Sequence, residues 1–448
     1  MRKTAVVVGG GAAGAMAARE LLRHTDARII LAEPSAEPGR GLAYGAAAPW
    51  HLLNSPAGAM SLDADDPGHF VEWLRAQGVA FKPADFAPRR RYGDYLHAML
   101  NLAAVAAPGR LETVQAHVTG LARRDGRMAV AFSDGRETTA DDVVLALGNP
   151  AATAPIPGLD TQRSHPRYIA DPWAPNALSS IPDNAPVLLI GTGLTAVDVI
   201  LSLFATRRRA PVTAVSRHGL LPRPHRDPSE TPAVHAVPPP PVESLARLTR
   251  AVRRSVAATG DWRAVVDGLR PSLDALWQAL SPEAQRRFLT HTARHWEVHR
   301  HRMAPQIAAR VADLCDSKAL EVRAERITQV VADGPDVLKT TFASRGTAHF
   351  AAIVNCAGPG RLPHAANPLT QTLLREGLAR TGPHALGLDV RGDGRALDRD
   401  GRVDAPLWIV GPLRRGRFWE TTAIPEIRDQ AQALAARLAA GAAAPALT

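Results

Sequence analysis

Two segments of the chain repeat one pattern, in which a short apolar strand runs into a glycine turn and then into a helix. The first segment has a strand at residues 4–8, a helix at 12–24 and a second strand at 28–33. The second has a strand at residues 187–190, a helix at 194–206 and a second strand at 212–215. Each segment is typical of a βαβ unit in a parallel sheet. The sequence therefore predicts an α/β fold with two Rossmann-like dinucleotide-binding domains.

The first turn has the spacing Gly-x-Gly-x-x-Gly, formed by Gly9, Gly11 and Gly14. In this arrangement Gly9 permits the tight turn, Gly11 lets the backbone approach a pyrophosphate, and Gly14 lets the helix pack closely on the strand. The first helical turn, which includes Ala13, offers free N–H groups to phosphates. Glu33 ends the second strand, where a carboxylate accepts hydrogen bonds from ribose hydroxyls. These residues predict the adenosine and pyrophosphate part of a dinucleotide site.

The second turn is formed by Gly191, Gly193 and Ala196, with alanine in place of the third glycine, as the fingerprint allows. No acid ends its second strand, because Arg217 follows Ser216 there. A carboxylate at that place would repel a 2′-phosphate, whereas a guanidinium can bind one through two parallel hydrogen bonds. The pattern favours NADPH over NADH, with a solvated surface role for Arg217 as the alternative.

Two further strands that end in glycine mark the expected crossings between domains, at residues 143–148, which end in Gly148, and at 349–358. Apolar residues at helical spacing predict a helical insertion over about 242–312, after a loop rich in proline and histidine at 222–241. The second domain is therefore expected to be inserted in the first. The expected boundaries are 1–165 and 346–448 for the first domain and 166–345 for the second.

Charge and cysteine content narrow the classes of function. The net charge is +10, and arginines spread along the chain carry nearly all of it. Anionic cofactors account for such a balance as well as nucleic acid does, so no nucleic-acid partner is expected. The two cysteines, Cys315 and Cys356, form no Cys-x-x-Cys motif. This spacing argues against a redox-active dithiol and fits a cytoplasmic location.

Neither a metal site nor a membrane span is expected from the sequence. No cluster of cysteines suggests zinc or an iron–sulfur centre, and no apolar run reaches the roughly 18 residues of a spanning helix. The start, Met1-Arg2-Lys3, imitates a secretory signal, but Gly9, Gly10 and Gly11 interrupt the apolar run that a signal needs.

Several segments outside the two turns resemble a bacterial family of FAD/NAD(P)-binding proteins, related to flavin-containing and N-hydroxylating monooxygenases. The segments are GRGLAYG at 39–45, HLLN at 51–54, MS at 60–61, WEVHRHR at 296–302 and WETTAIPEIR at 419–428. The resemblance covers essentially the whole chain. It implies that FAD occupies the N-terminal domain and that a nicotinamide cofactor, NADPH or NADH, occupies the inserted domain.

The glycine-rich loop after Glu33 is placed to wrap the flavin's ribityl chain and pyrophosphate, with Gly41 in the loop and Arg40 offsetting phosphate charge. His51 and Asn54 are candidates for contact with the flavin ring edge or with substrate. The alternative for His51 is a packed loop histidine. Arg300 is a candidate for binding an anionic substrate or cofactor phosphates, or else belongs to a structural cluster.

The C-terminal region supplies the last candidates. Residues 407–412 read as a strand that ends at Gly411, where related flavoproteins usually have an acid that contacts the ribityl chain. A helix then follows over 424–440. Thr422 and the backbone of Ala423 lie at its start, where a helix N-terminus favours negative charge on a reduced flavin.

Together these features predict an FAD-dependent NAD(P)H oxidoreductase that acts on a small molecule. A single-component monooxygenase using dioxygen, with N-hydroxylation among the reactions that the resemblance implies, is the favoured form. The alternatives are a reductase or oxidase without oxygenation and a non-catalytic flavin-binding redox sensor. No triad or carboxylate pair is present to nominate, so His51, Asn54 and Arg300 are the only catalytic candidates.

Overall fold

The computed structural model describes residues 2–153, 156, 159–205, 208–227, 240–364 and 366–443. The chain divides into two compact units. The first unit comprises Met1–Ala47, Pro56–Ala151 and Gly360–Thr448, and the second comprises Ala48–Ser55 and Ala152–Pro359. In sequence, the second unit is thus an insertion in the first, and it also takes in a short stretch that contains His51 and Asn54.

The first unit is built on a parallel sheet of five strands in the order β16-β7-β1-β2-β3. These strands are β1 Thr4–Val8, β2 Arg28–Ala32, β3 Leu111–Val114, β7 Asp142–Leu145 and β16 Leu407–Ile409. An antiparallel sheet contains β4 Val118–Arg124, β5 Arg127–Phe132 and β6 Glu137–Ala140. The helices are α1 Ala12–His24, α2 His69–Ala76, α3 Arg89–Ala106, α11 Pro368–Glu376 and α12 Ile424–Ala443.

The second unit has a parallel sheet of the same size, in the order β11-β10-β9-β15-β8. Its strands are β8 Tyr168–Ile169, β9 Val187–Ile190, β10 Val212–Ser216, β11 Leu320–Ala324 and β15 Ala352–Asn355. An antiparallel sheet contains β12 Ile327–Ala332, β13 Leu338–Phe342 and β14 Gly346–Phe350. The helices are α4 Leu194–Leu203, α5 Leu245–Thr259, α6 Trp262–Leu269, α7 Leu273–Ala279, α8 Pro282–Arg287, α9 Ala293–Arg300 and α10 Pro305–Asp316.

The central strands are buried on both faces, which explains their unbroken apolar sequences. Val6 and Val7 in β1, and Leu188 and Leu189 in β9, have no exposed surface. A parallel sheet covered on both sides requires such runs, because no strand face is left to carry polar residues. The predicted fold class is confirmed, since both units have the parallel sheet and the glycine turn of a Rossmann-like domain.

The predicted helical insertion is present, but capping residues divide it into separate helices. Gly260 ends α5 in the left-handed conformation at φ +67°, and Asp261 then accepts a hydrogen bond from the backbone N–H of Arg263. Ser281 caps α8 in the same way, with Pro282 at the first helical position. Glycine after a helix, and Asx or serine caps before the next one, are strong local stop and start signals.

Three strand boundaries differ from the sequence-based expectation. The strands expected at 143–148 and 407–412 end at Leu145 and Ile409, just before their glycine turns. The strand expected at 349–358 is two strands, β14 and β15, that belong to different sheets. Because β15 pairs with β9, the second unit continues to Pro359, beyond the boundary expected at residue 345. Part of the loop predicted at 222–241 lies outside the described residues.

Two glycine turns with different surroundings

The first turn follows β1 directly and leaves no room for side chains at two of its glycines. Gly9 has φ +94°, and a Cβ atom there would lie 2.6 Å from the carbonyl oxygen of Ala146. A Cβ atom at Gly14 would lie 1.7 Å from the carbonyl oxygen of Gly9. Only glycine adopts this backbone at this separation. The turn therefore brings the start of α1 against the end of β1, as a phosphate-binding turn requires.

Glu33 lies one residue beyond β2 and is hydrogen-bonded to the turn itself. Its Oε2 accepts a hydrogen bond from the backbone N–H of Gly10 at 2.7 Å, and its Oε1 accepts one from Ser35 at 2.9 Å. The carboxylate is half-buried beside the turn. Its position at the end of the second strand of a βαβ unit is the one that reads a ribose.

The loop after Glu33 packs on the turn through two glycines. A Cβ atom at Gly41, which has φ +50°, would lie 2.8 Å from the Cα atom of Gly11. The guanidinium of the adjacent Arg40 forms ion pairs with Asp94 at 2.9 Å and Glu37 at 3.2 Å. Because two carboxylates already balance its charge, the geometry favours Arg40 as a residue that holds the loop over one that offsets phosphate charge.

The C-terminal candidates also lie in the first unit. Gly411, at φ +88°, faces α1, since a Cβ atom there would lie 3.2 Å from the Cβ atom of Ala13. Its backbone N–H donates to Oε1 of Gln430 in α12 at 2.8 Å. Ala423 accepts the hydrogen bond of Ile427 at 3.1 Å, which places it at the start of α12.

Thr422 and Gly148, two further candidates, also lie in the first unit. Thr422 is half-buried just before α12. Gly148, at φ +71°, has open space on its Cβ side. The neighbouring Thr421 is 1% exposed, and its hydroxyl has no hydrogen-bond partner among the described residues. Sequence reasoning missed Thr421 and Gln430, because neither belongs to a recognisable spacing.

The second turn repeats the backbone geometry of the first. Gly191 has φ +117°, and a Cβ atom there would lie 2.5 Å from the carbonyl oxygen of Cys356. The side chain of Thr192 is fully buried and donates to the carbonyl of Leu220 at 2.6 Å. Ala196, at the third glycine position, is also fully buried. The turn leads into α4 as the first turn leads into α1.

Two arginines lie at the second turn, and only one of them was expected. A Cβ atom at Gly193 would lie 3.6 Å from Nη2 of Arg294, a residue at the start of α9. Burial lowers the pKa of Arg294, Glu297 opposes this effect, and the charge of Arg217 adds to it. Within the described part of the chain, neither guanidinium makes a hydrogen bond or an ion pair. The positive charge of Arg294 therefore lies beside the second turn, and the charge of Arg217 is close enough to act on it.

A second contact joins the same two segments. The rings of His218, after β10, and His295, in α9, have centroids 5.8 Å apart. The helical insertion therefore packs against the segment that follows β10. No spacing in the sequence predicts this contact, because 77 residues separate Arg217 from Arg294 and the fold alone brings them together.

His51 is buried within the second unit, and both of its ring nitrogens are engaged there. Nδ1 accepts a hydrogen bond from the backbone N–H of Ala48 at 3.1 Å. Nε2 lies 3.0 Å from the carbonyl oxygen of Asp198 and 2.9 Å from Oγ of Ser202. The proton is therefore on Nε2, and the ring fastens this stretch to α4. This geometry favours the packed alternative for His51.

His225, which the sequence analysis did not single out, is hydrogen-bonded to Asn54 and feels the charge of Arg300. Nε2 of His225 donates to the carbonyl oxygen of Asn54 at 2.9 Å, and the backbone N–H of His225 donates to Met303 at 2.8 Å. Burial, together with the charges of Arg302 and Arg300, lowers the pKa of His225 to about 4, although the hydrogen bond to Asn54 and the charge of Asp267 oppose this shift. The ring is therefore neutral near pH 7.

The search for other kinds of site gives two plain findings. Among the described residues, no group of three or more histidine, cysteine or acidic side chains is placed to hold a metal ion. No helix within the same ranges is both long and apolar enough to cross a membrane.

Comparison with known proteins agrees with the two turns. Residues 6–150 match a family model described as FAD-NAD(P)-binding. The chain has the fold of the two-dinucleotide-binding-domain flavoproteins. Ornithine hydroxylase from Pseudomonas aeruginosa shares this fold with a TM-score of 0.66 at 12% identity, covering 98% of this chain and 99% of that one. The predicted fold is thereby confirmed, and the match over residues 6–150 bears out the predicted FAD/NAD(P)-type cofactors.

One further solved structure and one sequence relative are also similar to this chain. A cadaverine monooxygenase of desferrioxamine biosynthesis from Erwinia amylovora, solved with FAD, gives a TM-score of 0.68 at 12% identity and covers 98% of this chain and 95% of that one. An uncharacterized protein of Mycobacterium tuberculosis is 26% identical over 401 residues, which span 79% of this chain and 73% of that protein.

Proposed function

We propose that the chain is an NADPH-dependent FAD monooxygenase that acts on a small molecule with dioxygen. The observation that carries the proposal is the contrast between its two dinucleotide turns. One turn is bonded to the carboxylate of Glu33, and the other lies beside the guanidiniums of Arg217 and Arg294, which form no ion pair among the described residues. A carboxylate suits ribose hydroxyls, whereas arginines suit a 2′-phosphate and a pyrophosphate.

The first unit is the proposed FAD site, and its residues fit the group. The backbone at Gly9, Gly11 and Gly14 approaches a pyrophosphate without side chains in the way, and Glu33 is placed for the adenosine ribose. The remaining proposed contacts are Ala13, Gly41, Gly148, Gly411, Thr422 and Ala423. When bound, FAD supplies hydride acceptance and the reaction with dioxygen, while the protein supplies binding, orientation and electrostatics.

The second unit is the proposed NADPH site. The turn at Gly191, Gly193 and Ala196 is placed to hold the pyrophosphate at the start of α4. Arg294 lies over Gly193 and is assigned to the pyrophosphate, and Arg217, at the end of β10, is assigned to the 2′-phosphate. His51 and Asn54 are proposed to position the stretch 48–55 within this unit, because both hydrogen-bond to other parts of the fold.

The monooxygenase class is supported by the structural neighbours that hydroxylate ornithine and oxidise cadaverine. N-hydroxylation of an amine is therefore the first reaction to test. A thiol-linked reductase is less well supported, since Cys356 is buried and Cys315 has no second cysteine near it in sequence. The same cysteine content supports a cytoplasmic location as part of the proposal.

The test is to purify the protein, identify the released flavin, and follow NADPH consumption with a panel of amines and amino acids under labelled dioxygen. We expect a yellow protein that releases FAD and a product that carries one labelled oxygen atom. Hydrogen peroxide formed in proportion to NADPH with every acceptor would favour the oxidase alternative. Flavin that no nicotinamide cofactor reduces would favour the redox sensor.

A further inference from the structure

A cluster of positive charge lies in the second unit, in a region that the dinucleotide turn does not use. We name it the arginine cluster, and it consists of Arg263 in α6, Arg300 at the end of α9, and Arg302 just after α9. Residues 223–225 run beside it, because the backbone N–H of Met303 donates to the carbonyl oxygen of Arg223 at 2.8 Å and the backbone N–H of His225 donates to the carbonyl oxygen of Met303 at 2.8 Å. Three separate segments therefore bring these side chains together.

Arg302 is the most deeply placed member. It is 4% exposed and forms an ion pair with Asp267 of α6. Its Nε atom is buried and has no hydrogen-bond partner within the described ranges. Burial lowers the pKa of Arg302, Asp267 opposes the effect, and Arg300 and Arg263 add to it. A guanidinium that is short of acceptors and is repelled by two others is costly unless an anion joins it.

Arg263 supplies the charge that no carboxylate balances. Its guanidinium lies 4.5 Å from the ring centroid of Trp262, and its Nε donates to the carbonyl of Pro224 at 3.2 Å. Among the described residues it forms no ion pair. The nearby Asp261 is not available to it, since that carboxylate pairs with Arg226 and caps α6.

The remaining groups leave the positive charge in place. His225 is neutral near pH 7, because burial and the charge of Arg302 lower its pKa to about 4. Asp267 is a carboxylate whose charge acts on both Arg302 and His225. Both guanidiniums lie near the ring of Trp262, at 4.5 Å for Arg263 and 5.8 Å for Arg302 from the ring centroid. The aromatic face holds both guanidiniums in fixed directions.

We propose that the arginine cluster binds the anionic oxygen group, a carboxylate or a phosphate, of a small-molecule ligand. Planar guanidiniums match both groups through pairs of parallel hydrogen bonds. Anion binding by the cluster does not depend on the proposed function. Only the identity of the molecule that carries the anion rests on that function. A carboxylate would belong to the substrate, and a phosphate would belong to the nicotinamide cofactor.

The test is a set of thermal unfolding measurements on the FAD-loaded protein at constant ionic strength, with glutarate, inorganic phosphate or chloride as the added anion. We expect glutarate or phosphate to raise the unfolding midpoint of the wild type above the chloride value. Arg263→Gln should lose that response and raise the dissociation constant of the effective anion at least tenfold. Arg263→Lys, which keeps the charge without the planar fork, should show an intermediate loss. Arg254→Gln, on the exposed face of α5, is the matched control and should respond as the wild type does.

Binding of NADPH then identifies the source of the anion. If Arg263→Gln leaves the dissociation constant of NADPH unchanged, the cluster takes a substrate carboxylate. If it raises that constant tenfold, the cluster takes a cofactor phosphate. Equal effects of all three anions on the wild type, or an unchanged response in Arg263→Gln, would overturn the proposal. A protein that fails to hold FAD would contradict the proposed function instead, and the anion titration would still be readable.

Discussion

The two glycine turns share a backbone and differ in charge. In both, the first glycine has a positive φ, and a Cβ atom there would lie 2.6 Å or 2.5 Å from the carbonyl of a neighbouring strand end. The first turn donates a hydrogen bond to Glu33, whereas Arg294 lies over the second. The comparison teaches that one backbone geometry can lie in two different charge environments, and the proposed function assigns the choice of dinucleotide to those surroundings.

The two turns also differ at their third glycine position, which is Gly14 in the first and Ala196 in the second. Gly14 sits so close to Gly9 that a Cβ atom would overlap its carbonyl oxygen at 1.7 Å, but the second turn carries Ala196 at the corresponding place. Helix α1 therefore packs more closely on its strand than α4 does. The two turns should respond very differently to one added methyl group.

The largest expected effect is from Gly14→Ala. Relief of the overlap must separate α1 from β1, at a cost above the roughly 3 kcal/mol of ordinary overpacking. We expect the variant to purify without flavin, as measured by its absorption spectrum. Gly392→Ala, where nothing lies within 4 Å of the added atom, is the control and should stay yellow. A Gly14→Ala protein that keeps its FAD would show that the close packing is not needed.

Acid should weaken the second unit through His225. Its pKa falls from 6.5 in the unfolded chain to about 4 in the fold, so the unfolded chain binds the proton first as pH falls. The stability present above pH 6.5 is then lost as pH approaches 4, with a total of roughly 3 kcal/mol. Urea unfolding at a series of pH values measures this loss.

His225→Gln should flatten that dependence, and His295→Gln, at an exposed histidine, should leave it unchanged. A wild type whose stability is the same at both ends of the range would contradict the buried, neutral placement of His225.

Substitutions of the two arginines at the second turn should change the KM values for NADPH and NADH in different ways. Arg217→Gln should raise KM for NADPH about tenfold to a hundredfold, as loss of a charged hydrogen bond does, and should leave KM for NADH nearly unchanged. Arg294→Gln should raise both, because both cofactors carry the pyrophosphate. Steady-state kinetics with the two cofactors measures this, and Arg254→Gln serves as control. An Arg217 variant that loses both cofactors equally would contradict its assignment to the 2′-phosphate.

The smallest expected effect concerns the cysteines. Burial raises the pKa of the thiols of Cys356 and Cys315, which disfavours the reactive thiolate. The double variant Cys315→Ser with Cys356→Ala should therefore keep NADPH oxidation within about threefold of the wild type, a change that reflects packing alone. Loss of turnover in a variant that still holds FAD would place a thiol in the reaction.

The sequence was sufficient for the parts of the fold that local rules govern. The apolar runs of β1 and β9 and the glycines after them predict the turns, because burial on both faces and a positive φ leave few other residues possible. The helix starts after Asp261 and Ser281 could also be predicted from the sequence, since each is a short polar residue just before a helix.

The charges at the site were not readable from the sequence. Arg40 looked like a phosphate ligand, yet Asp94, on a distant helix, pairs with it. Arg294 looked like any helical arginine, yet α9 brings it to Gly193. His51 looked like a cofactor contact, and its partners in α4 fix it in the fold. Such pairings depend on tertiary contacts between distant segments, which spacing along the chain does not encode.

The most direct test of the account is anaerobic mixing of the purified yellow protein with NADPH or NADH, followed by the visible absorption of the flavin. The account predicts that NADPH bleaches the flavin in the wild type much faster than NADH does, and that Arg217→Gln removes most of the difference. Equal bleaching by both cofactors in the wild type would contradict the central claim that Arg217 at the second turn selects NADPH.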